Sequence, residues 1–106
     1  YIVNLAPEAT FQNVETKSPL FKEWKSLAKT DSHAKAMTTK YQHRPAIELY
    51  DVKNDPYCMK NLAEDAKQAS TISRLDKELK RWMKDCGDEG QPTEMRAFEH
   101  TPGKRK

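Results

Sequence analysis

Glu48-Leu49-Tyr50-Asp51-Val52-Lys53-Asn54-Asp55-Pro56-Tyr57, followed closely by Asn61-Leu62-Ala63, is the stretch whose reading decides the fold. Ile47, Leu49 and Val52 frame a short strand over 46–52, with Glu48 and Tyr50 on the face opposite Leu49. Asn54-Asp55-Pro56 is turn chemistry, because Asn and Asp side chains bond back to nearby amides and Pro presets its own dihedral. Asp55 is placed to cap the amides that follow, and Pro56 suits a first helical position, where a missing N–H is no loss. Leu62 then returns one apolar side chain toward the core.

Downstream, Asp65 with Gln68 three residues on forms a capping-box pattern that opens a long helix over 65–86. Ala69, Ile72, Leu75, Leu79, Trp82, Met83 and Cys86 recur at helical spacing, while Lys77, Lys80, Arg81 and Lys84 flank them. The Trp-Met-Cys end reads as core, and Gly87 is placed to close the helix in a left-handed conformation. Residues 87–106 read as a tail: a loop through Thr93, one short turn between Met95 and Phe98, and a disordered end carrying Lys104-Arg105-Lys106.

Upstream, Tyr1-Ile2-Val3-Asn4-Leu5 reads as a strand and 8–17 as an extended loop. Ser18-Pro19 is a helix start, opening a helical region over 18–42. Leu20, Trp24, Leu27 and Ala28 give a first apolar stripe. Thr30-Asp31-Ser32 interrupts it and caps a second piece, in which Ala34, Met37 and Tyr41 share a face. Pro45 disfavours helix at Arg44, which ends that piece near Gln42.

The expected class is α+β: a small, partial antiparallel sheet packed by a long C-terminal amphipathic helix, with further helices between the strands. The 106 residues read as one small unit or part of a larger one. Only 36% are hydrophobic and 33% are charged, with a mean hydropathy of −1.00, so any core is thin. Nineteen basic and sixteen acidic residues leave +3, well mixed along the chain. A nucleic-acid stripe is not expected from that mixture. No apolar run approaches a membrane span, and no signal peptide begins the chain. The start at Tyr1, in mid-strand, suits a piece of a longer protein.

Chemistry is sparse. Cys58 and Cys86 lack metal-ligand spacing, and their number permits a bridge without implying one. His33, His43 and His100 have no partner at metal-binding spacing. The carboxylate pairs Asp51 and Asp55, Glu64 and Asp65, and Asp88 and Glu89 each have a turn or cap reading, and three glycines cannot build a phosphate loop. No catalytic or metal-binding residue is assigned. His43-Arg44, directly ahead of the strand, is the one candidate binding pair, since Arg offers a planar fork to oxyanions. Pairing of Arg44 with Asp51, Asp55 or a carboxylate of the last helix is the ordinary alternative.

The segment from Glu48 to Ala63 resembles the "ELYDL-x-x-DP-x-E-x-x-NLA" run near the C-terminus of type I, formylglycine-dependent sulfatases. The Tyr1–Asn4 stretch is similar to a "YKYI-x-N" strand of their C-terminal sheet. The resemblance is strongest from Arg44 to Cys86, closest to the heparan N-sulfatase (N-sulfoglucosamine sulfohydrolase-like) branch, and looser over 6–42. It implies a C-terminal subdomain whose parent hydrolyses sulfate from a sulfated carbohydrate, as sulfuric ester or sulfamate, and is periplasmic, secreted or lysosomal. It also implies a calcium ion and a formylglycine matured from a Cys/Ser-x-Pro-x-Arg motif. Cys58 is followed by Met59-Lys60-Asn61 and Cys86 by Gly87-Asp88-Glu89, so neither is that nucleophile. The implied partner is the N-terminal catalytic domain, with His43 and Arg44 bordering a shared cleft. This stretch alone is expected to be inactive, and an exposed sheet edge invites self-association. The reading from another class is a free-standing basic helical module that binds an anionic polymer, a glycosaminoglycan or nucleic acid.

Overall fold

The computed structural model describes residues 1–100 and is α+β, in two compact units: Tyr1–Leu5 with the chain from Ile47 onward, and Ala6–Ala46. The Lys104-Arg105-Lys106 cluster lies outside the described residues.

In the first unit, β1 (Ile2–Val3) and β2 (Ile47–Glu48) pair antiparallel, Ile2 opposite Glu48 and Val3 opposite Ile47. Both strands are far shorter than 1–5 and 46–52. The reason at β2 is local. Asp51 folds the chain over on itself, accepting from the amides of Lys53 and Asn54 and from Asn54 Nδ2, so no ladder extends past Leu49. The expected helical turn at Pro56 is likewise a plain turn. Asp55 caps amides as expected, but they are those of Met59 (3.0 Å) and Lys60 (2.8 Å), around a left-handed Cys58 at φ 51°.

Asn61 finishes the sheet. Its Nδ2 donates to the Ile47 carbonyl (3.2 Å), and its Oδ1 accepts from the amides of Leu49 (2.9 Å) and Ala63 (3.0 Å). One side-chain amide thus stands in for a third strand along β2, and the Leu62 amide completes the edge on the Leu49 carbonyl at 2.8 Å. Leu49 is buried there.

Asp65 Oδ1 accepts from the Lys67 amide (2.9 Å), two residues on, and this tightens Ala66–Gln68 into a 3₁₀ turn. Helix α3 therefore runs Ala69–Cys86 rather than from 65. Gly87, at φ 72°, ends it as expected, with the Asp88 amide returning to the Met83 carbonyl at 2.8 Å. The stripe Ile72, Leu75, Leu79 and Met83 is half-buried, but Trp82 is 63% exposed and Cys86 is exposed. The Trp-Met-Cys end is thus not core. Trp82 and Cys86 lie to one side of the half-buried line through Leu75, Leu79 and Met83.

Tyr1 Oη donates to Asp76 Oδ1 (3.1 Å), tying the first residue to α3, and Leu5 and Met83 close over Gly90. Beyond Gly87 the chain is more regular than a loop. Asp88 holds the Gly90 amide and the Thr93 hydroxyl accepts from Glu89, setting up a short helix α4 (Gln91–Met95) with Pro92 in its first turn. A 3₁₀ turn follows at Ala97–His100.

The second unit is a helical hairpin. Ser18 Oγ accepts from Phe21 N at the start of α1 (Pro19–Leu27), and Asp31 Oδ1 accepts from Ala34 N at the start of α2 (Ser32–Gln42). Both caps are the residues the sequence names. Residues 8–17 are not simply extended. Asn13 and Thr16 bond reciprocally through side chains and amides and precede a 3₁₀ turn at Glu15–Lys17. Phe21, Ala34 and Thr38 are buried, and Tyr41 meets Phe21 (ring centroids 5.4 Å) and Phe11 (5.9 Å). The apolar stripe of α1 is largely exposed: Leu20, Trp24 and Leu27 all face solvent, and Ala28 is half-buried. The hairpin closes through Phe21, one position off that line. Buried Gln42 clamps Phe11 by backbone (2.8 Å) and side chain (3.4 Å) and accepts from Lys25 Nζ at 2.9 Å.

Candidate functional site

The segment from His43 to Asn61 carries the densest polar chemistry. His43 is the C-cap of α2, its amide bonded to the Thr39 carbonyl at 2.8 Å and its ring exposed. Arg44 is half-buried, and its Nη1 donates to the Lys40 carbonyl at 3.2 Å. A cation on the last carbonyls of a helix is favoured by the partial negative charge there. The two candidate residues therefore adjoin each other at one helix end, in the Ala6–Ala46 unit.

Glu48 is the most enclosed charged group described, at 1% exposure. Its Oε2 accepts from Asn4 Nδ2 (2.9 Å) and its Oε1 from Tyr50 Oη (2.5 Å). A carboxylate so far from water persists only when hydrogen bonds replace its hydration. Sequence reading set Glu48 merely opposite Leu49. Its enclosure could have been suspected from Tyr50 two positions on, whose side chain leaves the same face of the strand.

The other carboxylates are engaged in shaping the backbone. The Asn54 side chain and the amides of Asn54 and Lys53 hold the Asp51 carboxyl below the usual carboxylate range. Asp55 bridges two amides of the following loop. On α3, the Lys80 ammonium 2.6 Å away lowers Asp76, helped by the Tyr1 hydroxyl. Burial, with the bond to Asp76, raises Tyr1.

The first unit carries two open grooves and the second a shallow cleft. In the first, Tyr1, Ile47, Asp65, Ile72, Asp76 and Lys80 line an open groove of about 480 Å³. In the second, Glu15, Ser18, Leu20, Phe21, Trp24 and Tyr41 line a shallow cleft of about 160 Å³. Cys58 is half-buried, Cys86 is exposed, and both are free thiols. Among the described residues no three His, Cys, Asp or Glu side chains converge to hold a metal ion, and no helix is long and apolar enough to cross a membrane. A nucleophile with its base is not among the arrangements seen in 43–61. What the segment does is fix a strand end, a turn and a loop.

The role of Asn61 was invisible to composition or period. Its only sequence signal was its company, an Asn just past an Asp-Pro turn and just ahead of a Leu-Ala pair.

Part of this chain is related to sulfatases. A stretch of 46 residues is 41% identical to an ulvan-active sulfatase of Formosa agariphila, covering 43% of this chain. A stretch of 48 residues is 40% identical to another ulvan-active sulfatase of the same organism, covering 45%. The matched stretches make up 8% and 10% of those proteins' own lengths. No family model matches the chain, and no solved structure matches it.

Proposed function

We propose that this chain is the C-terminal subdomain of a formylglycine-dependent sulfatase whose substrate is a sulfated carbohydrate. The observation that carries the reading is the relation of nearly half the chain to ulvan-active sulfatases. It is supported by the local geometry, in which Asp51, Asp55 and Asn61 engage their side chains with nearby backbone amides and carbonyls.

In this reading the parent's N-terminal domain is the partner and supplies the reactive centre. The residues described here do not fit a calcium site, and neither cysteine stands in a Cys-x-Pro-x-Arg motif. Formylglycine and calcium belong, in this reading, to the parent's N-terminal domain, and this stretch alone is expected to free no sulfate. His43 and Arg44 border the substrate cleft, where the guanidinium meets a sulfate or carboxylate oxygen. The parent is periplasmic, secreted or lysosomal. The finer branch is that of the N-sulfoglucosamine sulfohydrolases, so the bond broken is a sulfamate. The names of the relatives favour a sulfuric ester on a polysaccharide as the competing finer reading.

The test is to read the coding sequence upstream of Tyr1 and assay the protein it encodes. A Cys/Ser-x-Pro-x-Arg motif and release of sulfate from N-sulfoglucosamine or from ulvan are expected, and the preferred substrate decides the branch. An open reading frame without that motif, or a protein carrying it that frees no sulfate from either, refutes the reading.

A further inference from the structure

We infer that the Ala6–Ala46 unit is a docking surface for sulfated polysaccharide, with one sugar ring lying against Trp24 in the cleft of α1. The inference rests on the sulfatase reading for its ligand class and adds to it a contact point on the unit's own helices.

Topology gives the first argument. β1 and β2 are antiparallel neighbours, which a turn of two residues can join. The chain instead runs through a compact body with its own aromatic core and its own helix caps. Long excursions from a scaffold are usually where recognition resides.

Charge gives the second. Within 6–46 there are seven Lys and Arg against four Asp and Glu, so this unit alone accounts for the +3 of the whole chain. The remainder is balanced. The net positive charge of this unit favours approach of a polyanion, although α3 carries its own surplus of five Lys and Arg over three Asp and Glu.

Surface chemistry gives the third. Trp24 is 45% exposed and Leu20 70%, at the mouth of a cleft floored by Phe21 and Tyr41. Its polar groups are the Glu15 carboxylate, the Ser18 hydroxyl, whose proton remains to be donated, and the Tyr41 hydroxyl, which accepts from Asn13 Nδ2. A flat aromatic with a few hydrogen-bonding groups suits the C–H face and hydroxyls of a sugar, at little conformational cost to the protein. The volume of about 160 Å³ admits one ring, not a whole drug-sized ligand. Glu15 repels sulfate, so the stacked ring presents hydroxyls to it. Sulfates on adjoining rings face the unit's cations, among them Lys25, held at 2.9 Å by Gln42.

The experiment uses the longest natural polypeptide that carries this chain, with ulvan, dextran sulfate and uncharged dextran as probes in affinity electrophoresis. Retardation by ulvan and dextran sulfate but not by dextran is expected. Trp24→Ala weakens it about tenfold, the scale of one lost aromatic contact, and Trp24→Phe restores most of it. Leu27→Ala, an exposed apolar change on the same helix outside the cleft, leaves it unaltered. Hydrolysis of a small aryl sulfate stays at the parental rate in all three variants. Equal retardation of Trp24→Ala and parent overturns the inference. So does aggregation or a changed oligomeric state in Trp24→Ala, which marks the face as a protein interface. Sulfate release with Trp24-independent binding refutes this surface alone. Trp24-dependent binding without sulfate release refutes the hydrolase reading and leaves the surface standing.

Discussion

Replacing Asn61 by Ala removes three hydrogen bonds at once, to the Ile47 carbonyl and to the amides of Leu49 and Ala63. A typical net contribution is about 0.5–1.5 kcal/mol per bond, and an amide left unmatched beside buried Leu49 adds to the loss. The expected destabilisation is therefore about 2–3 kcal/mol. Asn61→Asp keeps both accepting functions but sets a carboxylate oxygen against the Ile47 carbonyl in place of the donor, at a cost of about 1–2 kcal/mol. The order parent, Asp, Ala follows from the geometry, since generic loss of a surface polar group would not separate Asp from Ala. Urea unfolding of the chain reads it directly. Trp82 lies in the unit that contains Asn61, so a Trp24→Phe background gives a single local reporter. A fall in midpoint without a change in slope is the expected signature. A loss under about 0.5 kcal/mol for Ala, or an Asp variant as damaged as Ala, refutes the idea that this amide substitutes for a strand.

Four further outcomes are expected. Glu48→Ala strands the Asn4 and Tyr50 donors in a nearly dry site and lowers stability by about 2–4 kcal/mol in the same urea assay, with Glu48→Gln intermediate. Gly87→Ala costs about 1 kcal/mol, since φ of 72° is its only obstacle. Gly90→Ala costs more, because ψ of −124° at φ 72° is a backbone region nearly closed to other residues, while the new methyl would sit in ordinary contact with Leu5 and Met83. Ser18→Ala removes the cap of α1 and costs about 1 kcal/mol, read from Trp24 in a Trp82→Phe background. The folded-state carboxyls of Asp51 and Asp76 lie below their unfolded value near 4, so their contribution is complete above that pH and disappears as acid titrates the folded groups. Tyr1 is raised above its usual value near 10, so its contribution is complete below that pH and fades in stronger alkali. Asp76→Asn removes the acid-side part that depends on Lys80, which a pH series of urea midpoints measures.

The starts of α1 and α2 and the stop of α3 were legible because each is written by one residue type at one place: Ser18, Asp31 and Gly87 act where their chemistry says, whereas Asp65 caps a 3₁₀ turn and α3 itself starts at Ala69. The α+β class followed from two apolar–polar stretches around helical periods. Strand lengths were not legible, because β2 is ended by the fold-back of the Asp51 side chain rather than by any break in alternation. Nor was the facing of the apolar stripes. Spacing grouped Leu20, Trp24 and Leu27, but which line of α1 closes the hairpin depends on where Tyr41 stands, and that side chain selects Phe21. At the candidate site, sequence placed His43 and Arg44 together ahead of the strand. It could not show the guanidinium resting on the Lys40 carbonyl, because the register of the α2 terminus sets that contact.

The pairing of Val3 with Ile47 fixes an order of events in folding. Joining these strands across a loose chain of more than forty residues, instead of a tight turn of about four, raises the closure entropy by roughly 2 kcal/mol. Two strands of two residues each have little to set against that penalty. The hairpin of α1 and α2, rich in local contacts, therefore acquires its shape early and delivers both strands to each other. Mutations that slow the helices should retard the sheet as well, while those at Asn61 should act on the unfolding rate alone.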